Sequence, residues 1–589
     1  MRNGFGLRGT RRGRQAAALA LAITVFAAGC GDSKDDSSSS SGDGDSADTA
    51  TTLPPRSDSC RTLEWKDAPE GGELIDYAQL ASAGDNTTFD PGAVQTLDES
   101  QITGALFDGL TDFDFTDTCN PELKPLVAES FEANDDATVY TFTIKDDQKF
   151  ANGEPVLPHN FKQGWERAGS QELASAYGYL MAYIKGGDKL LDGSATTLDS
   201  IVADDDAMTL EVTLESPLAD FPAIVSFSSF SPISDEDIDR VGNKTGWGDK
   251  GAVIGNGPFK FVSATSPDSG EVVLERNDDW AGSVLGDTKA KLDKITFKLT
   301  TDVESAYQAF SAGEGDSSSI PSGKYAEATA QYGNTTKSPQ LGTYFFDFGH
   351  DDPVLSGEKN LKLRQAISLA IDRKEINDKA YEGARIISTG ITPPGIPGFK
   401  ADIGKYAKTD AVEAKKLYDE WVADGGKLTG PINLSFNTGG SHQTVVEVMQ
   451  ANLKDVLGID AQLNPIDEDY FKVVAKPGGC QVCRSGWYAD YPTYGNFMVD
   501  LFGAVSIGGN NLGGYDDPDF EKSLADALKE TDEIKRGEFY QAAEERLLND
   551  TTYAIPLNWY TGDQVYRDGV INYDQPPLGS ILWEKVGKE

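Results

Sequence analysis

Apolar positions recur along this chain with two different periods, and the two kinds of segment are interleaved. Thr138–Lys145 places Tyr140, Phe142 and Ile144 on one face. Thr209–Leu214 does the same with Leu210, Val212 and Leu214, and Lys294–Leu299 with Ile295, Phe297 and Leu299. A period of two predicts half-buried strands. Leu363–Ile376 instead carries Leu363, Ala366, Ile367, Ala370 and Ile371 in one stripe, and Val445, Val446, Met449, Leu453 and Val456 form another. That spacing predicts helices. Strands, then helices, then strands in mixed order predict α+β and α/β lobes, without an internal repeat. The polar stretch Gly333–Gly342, ahead of the apolar run Thr343–Phe348, is the predicted joint between lobes.

The N-terminus follows neither pattern. Residues 1–15 hold five arginines and no acid, and thirteen apolar residues follow, Ala16–Ala28. A membrane span takes about 20 residues, so the run is read as a signal-peptide core. It ends in Ala27-Ala28-Gly29-Cys30, which resembles a bacterial lipobox with Cys30 as the lipid-bearing mature N-terminus. Arg11-Arg12 hints at twin-arginine export, but its surroundings are unusual, so the export route stays open. Residues 31–59 contain nine serines and seven aspartates, with Leu53 as the one large apolar residue. Such a segment cannot bury enough surface to order itself. It is expected to be a solvated tether on the outer face of the cytoplasmic membrane.

Length and charge narrow the function. A chain of 589 residues exceeds what one core supports, so two or three lobes are expected. There are 52 Lys+Arg against 95 Asp+Glu, a net charge of −43. That field repels phosphates and excludes a nucleic-acid partner. His159, His350 and His442 are the three histidines, and no two stand at ligand spacing, which argues against a metal site. Acid runs such as Asp204–Asp206 read as solvated turns.

Motifs for catalysis are missing. No G-x-S-x-G, H-E-x-x-H or P-loop sequence occurs, so neither an enzyme nor an ATP site is expected. One G-x-G-x-x-G, Gly246–Gly251, follows a polar segment and not a strand, which argues against a dinucleotide cofactor. Apart from Cys30, four cysteines remain, and an exported chain should pair them. Of the three connectivities, proximity favours Cys60–Cys119 with Cys480–Cys483. The C-x-x-C at 480–483 follows Pro477-Gly478-Gly479, unlike a redox motif that opens a helix. One aromatic group stands out: Trp487, Tyr488, Tyr491, Tyr494 and Phe497 surround the single acid Asp490. A carboxylate so placed can meet a cation or act as an acid, and a core strand with a capped aspartate has the same pattern.

Six ordered motifs carry a resemblance. They are Gly71–Pro91, Ala105–Leu110, Pro125–Ala168, Gly255–Ser263 with Val272–Gly282, Leu363–Ile376 with Ile391–Gly395, and Gly486–Phe497 (GWYADYPTYGNF). Together they resemble the extracytoplasmic solute-binding proteins of family 5, the peptide-binding components of ABC importers, over nearly all of Gly71–Lys588. The resemblance implies an α+β, two-lobed periplasmic-binding-protein-like fold with a ligand cleft between the lobes. Lobe I would take 60–110, 218–340 and 554–589, with 111–217 as an inserted subdomain, and lobe II would take 341–553. It implies a monomeric binder without cofactor that passes peptides to separate permease and ATPase chains. Asp490 falls on the aspartate that meets the peptide α-ammonium, Arg484 on a cleft arginine near the ligand's C-terminal part, and Trp487 on a pocket wall. Gly486–Tyr488 falls on a strand that binds the peptide main chain, Gln95, Thr96 and Leu97 on an opposing strand, and Tyr177 on a cleft tyrosine. Two positions depart from the family pattern: Gln95 replaces an acid, and Tyr488 replaces a disulfide-bonded cysteine. The same fold serving an oligosaccharide, a nickel chelate or an opine-like compound is the rival reading, with a secreted hydrolase behind it.

Overall fold

The computed structural model describes residues 61–79, 88–94, 96–242, 253–265, 270–300, 302–336, 338–438, 441–466, 469–573 and 576–589. Cys30, Cys60, Gln95 and the glycine motif Gly246–Gly251 lie outside the described residues. Two six-stranded sheets organise the chain. In the first, the strands run in the order Gln564–Tyr566, Ser317–Ser319, Glu73–Tyr77, Lys294–Lys298, Glu271–Arg276, Phe259–Ala264. Its core joins Leu74, Leu106, Phe259, Ile295 and Phe297 to Tyr573 and Trp583 of the C-terminal tail. The second sheet runs Ile386–Ile387, Ala554–Thr561, Pro339–Phe348, Val482–Tyr488, Ile432–Asn437, Ala461–Ile466.

A third unit is inserted in the first lobe: a four-stranded antiparallel sheet of Ala128–Ala133, Val139–Ile144, Thr209–Thr213 and Ile201–Asp204. Helix Pro158–Ala168 starts on a proline, whose missing N–H costs nothing in a first turn. Its Trp165 packs 5.0 Å from Phe230 and donates to the Phe230 carbonyl at 2.7 Å. Asp90 ties the unit to the first lobe by a two-pronged ion pair with Arg167 (2.7 and 2.5 Å), both side chains buried. The subdomain core does not stop at residue 217, because Phe221, Ile224 and Phe230 complete it. The hairpin Thr111–Asp114/Glu122–Pro125 stands apart from its sheet, and Phe113 and Phe115 pack with the second lobe's core.

The chain crosses between the large sheets twice, at 333–338 and at Gly562–Asp563. The crossings lie side by side, with Gly562 N–H donating to Ser338 O (2.9 Å) and Thr336 N–H to Gln564 O (2.8 Å). The return to lobe I therefore comes after Thr561, not at Ala554. Strand Ala554–Thr561 is buried along its whole length between Pro339–Phe348 and Ile386–Ile387, a place a lobe I strand could not reach. The helix expected over Leu363–Ile376 is two helices, Leu361–Ala370 and Arg373–Tyr381. Asp372 ends the first pattern by accepting the Glu375 N–H at 3.0 Å as an N-cap. Among the described residues no helix is long and apolar enough to cross a membrane.

Candidate functional site

Strand Val482–Tyr488 is the spine of the site. One edge pairs antiparallel with Pro339–Phe348 from Phe348↔Val482 to Gly342↔Tyr488. On the other edge, Ile432–Asn437 pairs only with Val482 and Cys483. Among the described residues, no strand pairs with Gly486–Tyr488 on that side. Gly486 leaves room for Tyr560, whose hydroxyl would have to shift from a Cβ 2.5 Å away. At the strand's start Cys480 and Cys483 form a disulfide, with Cα atoms 5.3 Å apart. Cys119 is also disulfide-bonded.

A cavity of about 230 Å³ opens on this edge, lined among others by Thr96, Leu97, Tyr177, Gly486, Trp487, Tyr488 and Asp490. Residues far apart in sequence thus meet, and they come from lobe I, the subdomain and lobe II. Two expectations change. Thr96 and Leu97 do not form an opposing strand: Thr96 caps helix Leu97–Leu106, exchanging hydrogen bonds with Glu99 (3.2 and 3.1 Å) in a capping box. Arg484 does not line the cavity. It is 1% exposed, lies over the Tyr344 ring at 5.0 Å and donates to Asn437 Oδ1 at 3.3 Å. A wider cavity of about 970 Å³, with Asp220, Arg536, Tyr494 and Tyr540 on its wall, holds none of the expected ligand-binding residues.

Asn496, which sequence reasoning passed over, organises the acidic end of the cavity. Thr493 caps helix Tyr494–Phe502 and accepts the Asn496 N–H at 3.3 Å, which fixes the fully buried amide. Its Oδ1 accepts from Trp487 Nε1 (2.9 Å) and from Asp490 N–H (3.0 Å). Its Nδ2 donates to Asp490 Oδ2 (3.1 Å) and Asp500 Oδ2 (2.9 Å). The T-x-x-N spacing after Pro492 was the available signal. From the subdomain, Tyr177 hydrogen-bonds to Asp490. Tyr183 reaches Asp500 at 3.3 Å, and Tyr491 donates to it at 2.9 Å.

This setting decides the charge. Burial pushes the Asp490 carboxyl up to about 7, repulsion from Asp500 adds to that, and the Asn496 and Tyr177 hydrogen bonds oppose it. Burial likewise pushes Asp500 up to about 6. A desolvated carboxylate whose donors are neutral gains most from an arriving cation.

The comparisons agree with the geometry. The model for "Bacterial extracellular solute-binding proteins, family 5 Middle" matches residues 122–509. The oligopeptide-binding protein OppA of Bacillus subtilis is 28% identical over 511 residues, 84% of this chain and 90% of its own. The periplasmic oligopeptide-binding protein OppA of Salmonella typhimurium is 27% identical over 528 residues, covering 87% and 93%. Among solved structures, the unliganded open form of the murein tripeptide binding protein MppA superposes with a TM-score of 0.72 at 24% identity, over 88% of this chain and 98% of that one. Haemophilus influenzae OppA in complex with RPPGFSPFR gives 0.66 at 22% identity, over 89% and 100%. The family model covers more than half of the chain, which belongs to the bacterial extracellular solute-binding proteins of family 5.

Proposed function

We propose that this chain captures peptides between its lobes and delivers them to the permease subunits of an ABC importer, which separate ATPase subunits power. One observation carries the reading: a strand edge that no described strand pairs with, Gly486–Tyr488, runs directly into a half-buried carboxylate, Asp490. A binder of many peptides must use what peptides share. Main-chain amides can add to the open edge as another strand, and the α-ammonium can pair with Asp490. Trp487 and Tyr488 supply broad walls that tolerate different side chains. Thr96, Leu97 and Tyr177 close the cavity from the opposite side, and Arg484 supports the strand from behind it.

Cys30 carries the lipid that holds the protein at the outer face of the membrane, with 30–59 as its tether. Cys60 is the partner of Cys119. The two relatives described above are named as oligopeptide-binding proteins, which supports the peptide reading over a sugar or a metal chelate. The test is to purify the full chain under native conditions, denature it and identify what it releases by mass spectrometry. Peptides with free amino termini are expected. Release of a sugar or another non-peptide solute, with no peptide, contradicts the reading.

A further inference from the structure

The cavity that holds Asp490 has a second charged region. Four of its lining residues are carboxylic acids, Asp108, Asp112, Asp490 and Glu584, and none is a lysine, arginine or histidine. Asp108 follows helix Leu97–Leu106, Asp112 lies in strand Thr111–Asp114, and Glu584 lies in the C-terminal tail. The fold brings these three close enough to repel one another, whereas the acid that acts on Asp490 is Asp500.

None of the three has an ion pair among the described residues. Lys585, next to Glu584, pairs with Asp287 at 2.5 Å. Lys145 acts on Asp108 from a distance while its ammonium donates to the Leu126 carbonyl at 2.6 Å. Asp108 accepts one neutral donor, Trp280 Nε1, at 2.6 Å, and Asp112 accepts the adjacent Phe113 N–H at 2.7 Å. Glu584 is the most demanding. It is 7% exposed, and the one hydrogen bond to its carboxylate comes from its own backbone. A buried acid so poorly met, on the wall of a binding cavity, is costly until a cation arrives.

We propose that Asp108, Asp112 and Glu584 form a subsite for a basic side chain, so that the cleft selects peptides carrying lysine or arginine. The proposal rests on the peptide reading above. The ligand's α-ammonium takes Asp490, and its side-chain cation takes the second region. Trp280 and Phe113 offer an apolar surface for the methylene stem leading to that cation.

The test uses the full chain, stripped of ligand and offered a synthetic library of random tri- to hexapeptides. The bound fraction is recovered and its lysine and arginine content compared with that of the library. Wild type should raise the ratio of basic to non-basic peptides about 30-fold or more over that of the library, the scale of one desolvated charge pair. In Glu584→Gln and in Asp112→Asn the enrichment should fall toward unity while the total amount of bound peptide holds. Both variants should melt at or above the wild-type temperature, since each removes a buried acid whose ionisation its acidic neighbours oppose; a merely structural role predicts a lower melt. Peptides bound without basic enrichment, or enrichment unchanged in both variants, overturn the subsite and leave the peptide reading standing. Retention of no peptide at all overturns both.

Discussion

If Asp490 meets the ligand's ammonium, binding must be linked to protons. In the empty protein burial holds the Asp490 carboxyl at about 7. It is therefore about three-quarters protonated at pH 6.5 and about one-tenth protonated at pH 8. An ammonium binds the ionised form, so Asp490 should release about 0.8 proton on binding at pH 6.5 and about 0.1 at pH 8, where the peptide amine takes up about 0.5. Asp500, at about 6 and joined to Asp490 through Asn496, titrates with it and can bring the release at pH 6.5 close to about one proton. Affinity should be about fivefold weaker at pH 6 than at pH 8, where about half of the peptide amine, with an ordinary pKa of about 8, has already lost its own proton. The stability of the empty protein has the opposite sign. Both carboxyls lie above their ordinary values, so the folded state holds more protons than the unfolded one between about pH 4 and 7, and stability falls as pH rises through that window. Calorimetry at pH 6.5 in buffers of different ionisation enthalpy counts the released protons directly. A count of zero, or an equal count from Asp490→Asn, refutes the reasoning.

Other consequences follow from single contacts. Asn496→Ala leaves the Trp487 Nε1–H and Asp490 N–H donors without their acceptor in a buried site, which should cost about 2–6 kcal/mol in chemical denaturation and weaken peptide binding. Asp90→Asn strands the buried Arg167 guanidinium and should cost about 3–5 kcal/mol, read as an earlier thermal transition. Cys30→Ala should move the protein from the membrane to the soluble fraction, because two acyl chains contribute roughly 0.8 kcal/mol per buried CH₂ and nothing in the serine-rich tether replaces them; cell fractionation decides it.

Local pattern made parts of this molecule legible and hid others. Strands such as Val139–Ile144 and Thr209–Thr213 have one buried face, so their period of two survives in the sequence. Ala554–Thr561 is buried on both faces, which erases the alternation that would have placed it in the second sheet. The break at Ile371–Asp372 was hidden because Asp372 sits inside an apparently continuous helical stripe. Of the site, Trp487, Tyr488 and Asp490 announced themselves as one aromatic and acidic group, and the family motif supplied Thr96, Leu97 and Tyr177 from elsewhere in the chain. The acids Asp108 and Asp112 could not be grouped in advance with Glu584. What joins them is tertiary proximity across hundreds of residues, and single polar residues carry no period. Arg484 is legible only in part. The motif gives its position on the strand, but tertiary packing sets its side chain over the Tyr344 ring and toward Asn437.

The central claim is that Asp490 receives the α-ammonium of a peptide bound in this cavity. The most direct measurement is a double cycle by calorimetry, using one peptide recovered from the purified protein, free or N-acetylated, with wild type and with Asp490→Asn. Either change alone should cost about 2–5 kcal/mol, roughly 30- to several-thousand-fold in affinity. Acetylation should cause little further loss in the variant. Equal binding of free and acetylated peptide by wild type contradicts the account.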